Sequence, residues 1–220
     1  MALVSRGTIK DKAKSRADME ESDFISDSEW NTIIYDSVCA LVELVSRQNQ
    51  DHYLEEVTLT ASGLDTMDLP SDLLEVRGMD EKNGDSYQTM EPFMLAERNK
   101  YSNPLYPFMS DRKSSFRYRL QGASKVRVVP RATSTSEFRL WYTPSPTPFA
   151  SDLSSIEVFN GWDEWVVLDV AIKALGKEQS DASHLLMERK IVENRIMEAA
   201  QRRQTDTGDQ VIFPEDIWDV

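Results

Sequence analysis

The sequence predicts an α+β fold, a helical bundle with an inserted small antiparallel β-sheet and extended N- and C-terminal arms. Three observations predict it. Apolar residues recur at helical spacing early, over 27–50, and late, over 161–175 and 181–203. Between these, from Tyr53 to Tyr142, the pattern breaks into short extended runs bounded by turn residues. Beyond the last periodic segment, five large apolar side chains follow in a polar tail. The implied organisation is an N-terminal arm with a short helix over 1–24, a single domain over 25–205 with its β insertion at about 53–142, and a C-terminal arm over 206–220.

Taken in chain order, Thr8 to about Met19 forms a short, strongly charged helix with Ile9, Ala13 and Ala17 on one side. Ser26 and Glu29, three residues apart, make a capping box, and Ile25 is placed to pack on Trp30 as a hydrophobic staple. They open a helix from Asp27 to about Gln50. Its apolar face carries Trp30, Ile33, Ile34, Val38, Leu41, Leu44 and Val45, with Thr32, Asp36, Glu43 and Arg47 opposite. Leu54 to Ala61 reads as a strand because Val57, Leu59 and Ala61 alternate with Thr58 and Thr60. Leu73 to Met79 and Tyr87 to Met90 flank a turn holding Asn83-Gly84, the signal of a hairpin. Phe93 to Lys100 suits one or two helical turns. Phe116 to Leu120 and Lys125 to Val129 flank Gln121-Gly122-Ala123-Ser124 as a second hairpin, and Phe138 to Tyr142 is the last strand.

Pro144, Pro146 and Pro148 stiffen the return to helix. Asn160 is placed to cap the next helix. There Trp165, Leu168, Ala171, Ile172, Ala174 and Leu175 cover more than half the circumference, so the helix is expected to be central. Asp169 and Lys173 remain as an i,i+4 pair on a narrow polar strip. Gly176 is expected to end it and Ser180 to cap the last helix, whose face is Ala182, Leu185, Leu186, Val192, Ile196, Ala199 and Ala200. Arg202 and Arg203 at its carboxyl end suit the dipole.

At 220 residues the chain is long enough for one sizeable core, and its 40% hydrophobic and 29% charged content is that of a soluble globular protein. No apolar run approaches the roughly 18 residues of a membrane helix, and the start, Met1 to Gly7, has no long apolar stretch of the kind that directs export. Cys39 is the one cysteine, so no intramolecular disulfide forms, which fits a reducing compartment. The net charge of −13 disfavours general binding to nucleic-acid backbones. It is uneven, however. Residues 112–139 carry Arg112, Lys113, Arg117, Arg119, Lys125, Arg127, Arg131 and Arg139 against Glu137 alone, a local +7 that leaves −20 on the rest.

Reactive chemistry is sparse. Cys39 falls opposite the apolar stripe of its helix, with no histidine-containing motif beside it in sequence, and His52 and His184 lack partners at metal-ligand spacing. The eight glycines form no phosphate-cradling run. No enzyme activity, cofactor or metal is expected.

The chain resembles the head-to-tail adaptor, or connector, proteins of tailed bacteriophages. The residues that carry the resemblance are Arg16-Ala17-Asp18-Met19, then Ser22 to Trp30, Leu69-Pro70-Ser71-Asp72, Ala96-Glu97-Arg98-Asn99, Arg117-Tyr118-Arg119-Leu120, Leu140 to Pro144, and Val167 to Glu178. It covers about residues 8 to 205, while Met1 to Gly7 and Asp206 to Val220 depart from the pattern. The resemblance implies a non-enzymatic virion protein located in the neck, assembled in the host cytoplasm, whose copies form a ring beneath the portal protein, usually a dodecamer. Such a ring binds tail or tail-completion proteins and lets double-stranded DNA pass without sequence-specific binding. Another neck or tail-completion component, or a host-binding module, is the alternative.

Candidate contact residues follow from leftover apolar surface. In the tail Val211, Ile212, Phe213, Ile217 and Trp218 would each lose about 1.5–3 kcal/mol if left wet, so something is expected to cover them. Ile212, Phe213, Ile217 and Trp218 are the expected anchors on the portal or on the next copy, with packing on the same domain as the alternative. His184, Met187, Ile191 and Arg195 form a second stripe on the last helix, opposite its core face, suited to contact with a neighbouring copy. Arg112, Arg117 and Arg119 would supply a basic face for an acidic one, the alternative being simple solvation. Acidic side chains lining a bore would keep DNA from sticking.

Overall fold

The computed structural model of the chain describes residues 2–61, 65–101, 116–133, 135–158 and 161–202. In chain order the elements are β1 (Ala2–Ser5), α1 (Arg6–Arg16), α2 (Asp27–Gln48), β2 (Glu55–Thr60), β3 (Thr66–Asp68), β4 (Leu73–Asn83), β5 (Ser86–Thr89), β6 (Glu91–Pro92), a 3-10 turn at Leu95–Glu97 leading into α3 (Arg98–Tyr101), β7 (Arg117–Gln121), β8 (Lys125–Val129), β9 (Glu137–Pro144), β10 (Ser155–Val158), α4 (Asp163–Glu178) and α5 (Ser183–Gln201). They divide into two compact units, an α unit of Met1–His52 with Pro148–Val220 and a β unit of Tyr53–Thr147.

The α unit is built around α4, against which α1, α2 and α5 all pack. The reason lies in its composition. Trp165, Val166, Val167, Leu168, Val170, Ala171, Ala174 and Leu175 are buried, which leaves the helix apolar on nearly every side. Around it Ile34, Leu41, Val45, Leu185 and Ile196 are fully buried, and each such side chain contributes roughly 1.5–3 kcal/mol through the water it sheds. The start of α2 is fixed by the Ser26/Glu29 capping box, in which the Ser26 N–H donates to Glu29 Oε2 at 3.0 Å. Its end is fixed by buried Asn49, whose Nδ2 donates to the Ala200 carbonyl at 3.1 Å and so ties α2 to the end of α5.

The segment expected as an N-terminal arm is built into this unit. Ile9 and Ala13 of α1 are fully buried. Before α1, β1 pairs antiparallel with β10, Leu3 opposite Glu157 and Val4 opposite Ile156, making a two-stranded ribbon. The expected end of α4 at Gly176 is corrected. Gly176 stays helical, and the chain turns at Gln179, which adopts φ +61° while the Ser180 N–H bonds back to the Leu175 carbonyl. Ser180 does not cap α5 either. The Asp181 carboxylate accepts from the Ser183 backbone N–H at 2.9 Å, and the helix begins at Ser183. Asn160 and Arg203 lie outside the described residues.

The β unit corrects the expectation of one small sheet. It contains two four-stranded sheets, ordered β2-β9-β4-β5 and β3-β8-β7-β6, the first antiparallel throughout and the second with a parallel β6–β7 pairing. The two extra strands are β3 and β6, too short to show a period of their own, and β4 runs on past Met79 to Asn83. One cluster, with Leu59, Met79, Phe138 and Leu140 from the first sheet and Met67, Val126 and Val128 from the second, forms the core. The β4–β5 hairpin closes on a two-residue loop, Gly84-Asp85, between paired Asn83 and Ser86, with Gly84 at φ +62°. Two register shifts in β4, between Leu73 and Glu75 and between Val76 and Gly78, let that long strand bend along β9.

Candidate interaction surfaces

The outer face of α5 exposes three large apolar side chains, Leu186, Met187 and Ile191. The buried side of the helix is Leu185, Val192, Ile196 and Ala200. One turn steps across, the opposite side presents His184, Met187, Ile191 and Arg195, with Met187 72% and Ile191 70% exposed and Leu186 on the flank. Its border is ionic. Arg16 of α1 bonds Glu188 and Glu164 at 3.4 Å each, and Arg195 reaches Glu164 at 3.5 Å. An apolar strip rimmed by charge is the anatomy of a protein contact surface.

Beneath this rim, a groove of about 470 Å³ is lined by Lys12, Ser15, Arg16, Asp163 and Glu164. Its charges answer one another, with Lys12 Nζ 2.8 Å from Asp163 and Arg16 on Glu164, so little is left over to recognise a small ligand. Of the polar pair expected on α4, Asp169 is buried and Lys173 is half-buried. Asp169 is held by Lys173 at 2.8 Å and by Arg189 of α5. Burial pushes its carboxyl up, but hydrogen bonds from Lys173 and Ser37 outweigh that and leave it below the usual carboxylate range. This is a structural knot between α4, α5 and α2.

On the β unit the basic run finds acids close by. Arg117 pairs with Glu91 at 2.6 Å, Arg127 and Arg131 with Asp65, Lys125 with Asp68 and Arg139 with Asp80 and Glu56. Arg139 also stacks over the Tyr87 ring at 3.7 Å, and Asp80 accepts from the Trp141 indole at 2.7 Å. Arg119 is exposed and donates to the Phe93 carbonyl at 3.5 Å. Arg112 lies outside the described residues, as do Ile212, Phe213, Ile217 and Trp218. The described basic side chains of this run other than Arg119 thus each have a carboxylate partner in the β unit.

Cys39 is half-buried on α2. Burial, with Asp36 and Glu43 nearby, pushes its thiol up although a hydrogen bond with Tyr35 works the other way. A thiol held so is scarcely ionised at neutral pH and makes a poor nucleophile. The His52 ring lies against Trp162 at 5.4 Å. Among the described residues no group of three or more His, Cys, Asp or Glu is placed to hold a metal ion, and no helix is long and apolar enough to cross a membrane.

The sequence reading missed three further exposed apolar side chains. Leu3 of the ribbon and Leu153 just before it are exposed, as is Phe24 beside Lys177, whose Nζ sits 5.3 Å from the ring centroid. The alternation in Ser155-Ile156-Glu157-Val158 was the available signal, and its partner strand lies some 150 residues earlier.

A family model described as SU10 adaptor protein matches residues 6–214. Among curated protein sequences nothing matches.

Proposed function

Because the chain belongs to the SU10 adaptor protein family, the phage head-to-tail adaptors, we propose that its copies form a ring that joins the portal vertex of the capsid to the tail and extends the DNA channel. The observation that carries this reading is the match over 6–214, which spans both units of the chain. The role is structural and needs no catalytic group or cofactor. In this reading the ring is a dodecamer in the virion neck, assembled in the host cytoplasm, with portal protein on one side, tail or tail-completion proteins on the other, and double-stranded DNA passing through without sequence-specific contacts.

The exposed α5 stripe of His184, Met187, Ile191 and Arg195 supports contact between copies, since large aliphatic side chains at this exposure gain from being covered. The C-terminal segment supports contact with the portal, with Ile212, Phe213, Ile217 and Trp218 as anchors of the size that dominates protein interfaces. The excess of acid over base, −13 overall, supports a bore that repels phosphates and keeps DNA moving.

Electron micrographs of the purified chain mixed with its portal protein test the proposal, together with antibody labelling of virions. The expected result is a ring on the portal and label at the neck. Single copies that ignore the portal, and virions without the protein, would point instead to a soluble host-binding factor and sink the reading.

A further inference from the structure

Resting on the ring reading above, we infer that neighbouring copies meet through two unlike patches of the α unit, the β1–β10 ribbon of one copy seating on the outer face of α5 of the next. A closed ring about a rotation axis joins unlike surfaces, so each copy must carry two patches that do not overlap. The α unit has two such groups of exposed aliphatic side chains among its described residues. One comprises Leu3 on β1 and Leu153 in the turn that leads into β10, the latter 89% exposed, and the other is Leu186, Met187 and Ile191 on α5. Phe24, the remaining large exposed apolar side chain among the unit's described residues, already has the Lys177 ammonium over its ring.

The two patches look to different neighbours because α1 stands between them. Its N-cap, Ser5, is the last residue of the ribbon strand, and Arg16 in its final turn reaches Glu188 of α5. The 11 residues of α1 span about 16 Å at 1.5 Å per residue. A single partner patch of the size of one side chain cluster cannot cover both.

Charge makes the two patches complementary. Beside the ribbon, Arg6 and Lys10 bind Asp27 and Asp152, but the cations are the sequestered members of the knot. The Arg6 side chain is 6% exposed and Asp27 64%. This face therefore offers carboxylates to its surroundings. On α5 the balance tips the other way, with Lys190 63% exposed against 17% for its partner Glu193 and Arg195 61% against 42% for Glu164, while Glu188 is about as exposed as its partner Arg16. That face offers more accessible cation than acid. Two apolar centres, one bordered by accessible acid and the other by accessible base, fit each other better than either fits itself.

The ribbon also has reason to be covered. A two-stranded sheet is marginal in water on its own, and each of its strands keeps one unpaired edge among the described residues. Seating it against a helix of the next copy shields that edge.

The test uses the full chain with Cys39→Ala, one tagged form carrying Leu153→Cys and a differently tagged form carrying Met187→Cys, mixed and assembled on the portal. A short bismaleimide is expected to link the two unlike forms, and the chain carrying both substitutions to give a ladder of linked multimers. A ring that forms but links only like cysteines, or none, overturns the pairing and leaves the ring reading intact. A wild-type chain that forms no ring sinks that reading and the inference with it. As an independent arm, Met187→Asp is expected to lower ring association about tenfold or more with an unchanged melting temperature. Unchanged association would overturn the role of α5.

Discussion

The Asp169 carboxylate lies inside the α unit, and the fold answers it with Lys173 from its own helix and Arg189 from α5. Removing that charge leaves two cations facing each other. Asp169→Asn is expected to cost about 2–3 kcal/mol in urea unfolding at neutral pH, less than for a fully enclosed pair because Lys173 and Arg189 keep some contact with water. Glu29 makes the matching case at the surface. Hydrogen bonds from Lys177, and then from Ser26, bring its carboxyl down to about 2. Its folded value is thus below the ordinary value near 4.3, so the stability it contributes is present above about pH 4.3 and is lost as pH falls through about 2. Unfolding midpoints of wild type and Glu29→Gln, followed from pH 6 to 2, are expected to converge at the acid end. Parallel curves would show that Glu29 carries no such linkage. Of these two residues, Glu29 was legible in the sequence as part of a capping box, because its partner Ser26 is three positions away. The burial of Asp169 was not. Its environment is made by Ser37 and Arg189, which lie on two other helices and leave no local trace.

Among the elements, α1 changes meaning most between sequence and structure. Read alone it is a charged, weakly one-sided helix, since only Ile9, Ala13 and Ala17 share a side. In the fold those three are buried, and the charges on its other sides spend themselves on Asp27, Asp152, Asp163 and Glu188. Ile9→Ala is expected to destabilise by about 2–4 kcal/mol in denaturant unfolding, a core cost where a free arm would show almost none. The long helices were legible because their apolar period is strong. Their ends were less so. The glycine at 176 looked like a stop, yet the helix continued until Gln179 could adopt a left-handed turn bonded to Gly176 and Leu175. Strands β1, β3, β6 and β10 escaped notice for a common reason. Each is two to four residues long, too short for a pattern of its own to stand out, and each is fixed by its partner strand.

For the whole molecule, composition was a poor guide to where its charge goes. The +7 counted over 112–139 is partly offset by Asp65, Asp68, Asp80 and Glu91, none of them within that run, which pair with its cations. Deleting residues 206–220 separates folding from assembly. The truncated chain is expected to melt as the full one does and to lose portal binding by about tenfold or more, as measured by co-sedimentation. Retained binding would remove the C-terminal anchors from the proposal. The division of the chain also governs its birth. The β unit is continuous from Tyr53 to Thr147, whereas the α unit waits for its second half, because α4 and α5 lie beyond residue 160. At about 5–20 residues per second a ribosome delivers that half roughly ten seconds or more after α2 emerges. The greasy faces of α1 and α2 therefore stand unprotected through the synthesis of an entire inserted module. The nascent chain should be a client of ribosome-associated chaperones over that interval, and the inserted module should resist protease on stalled ribosomes before the helices do.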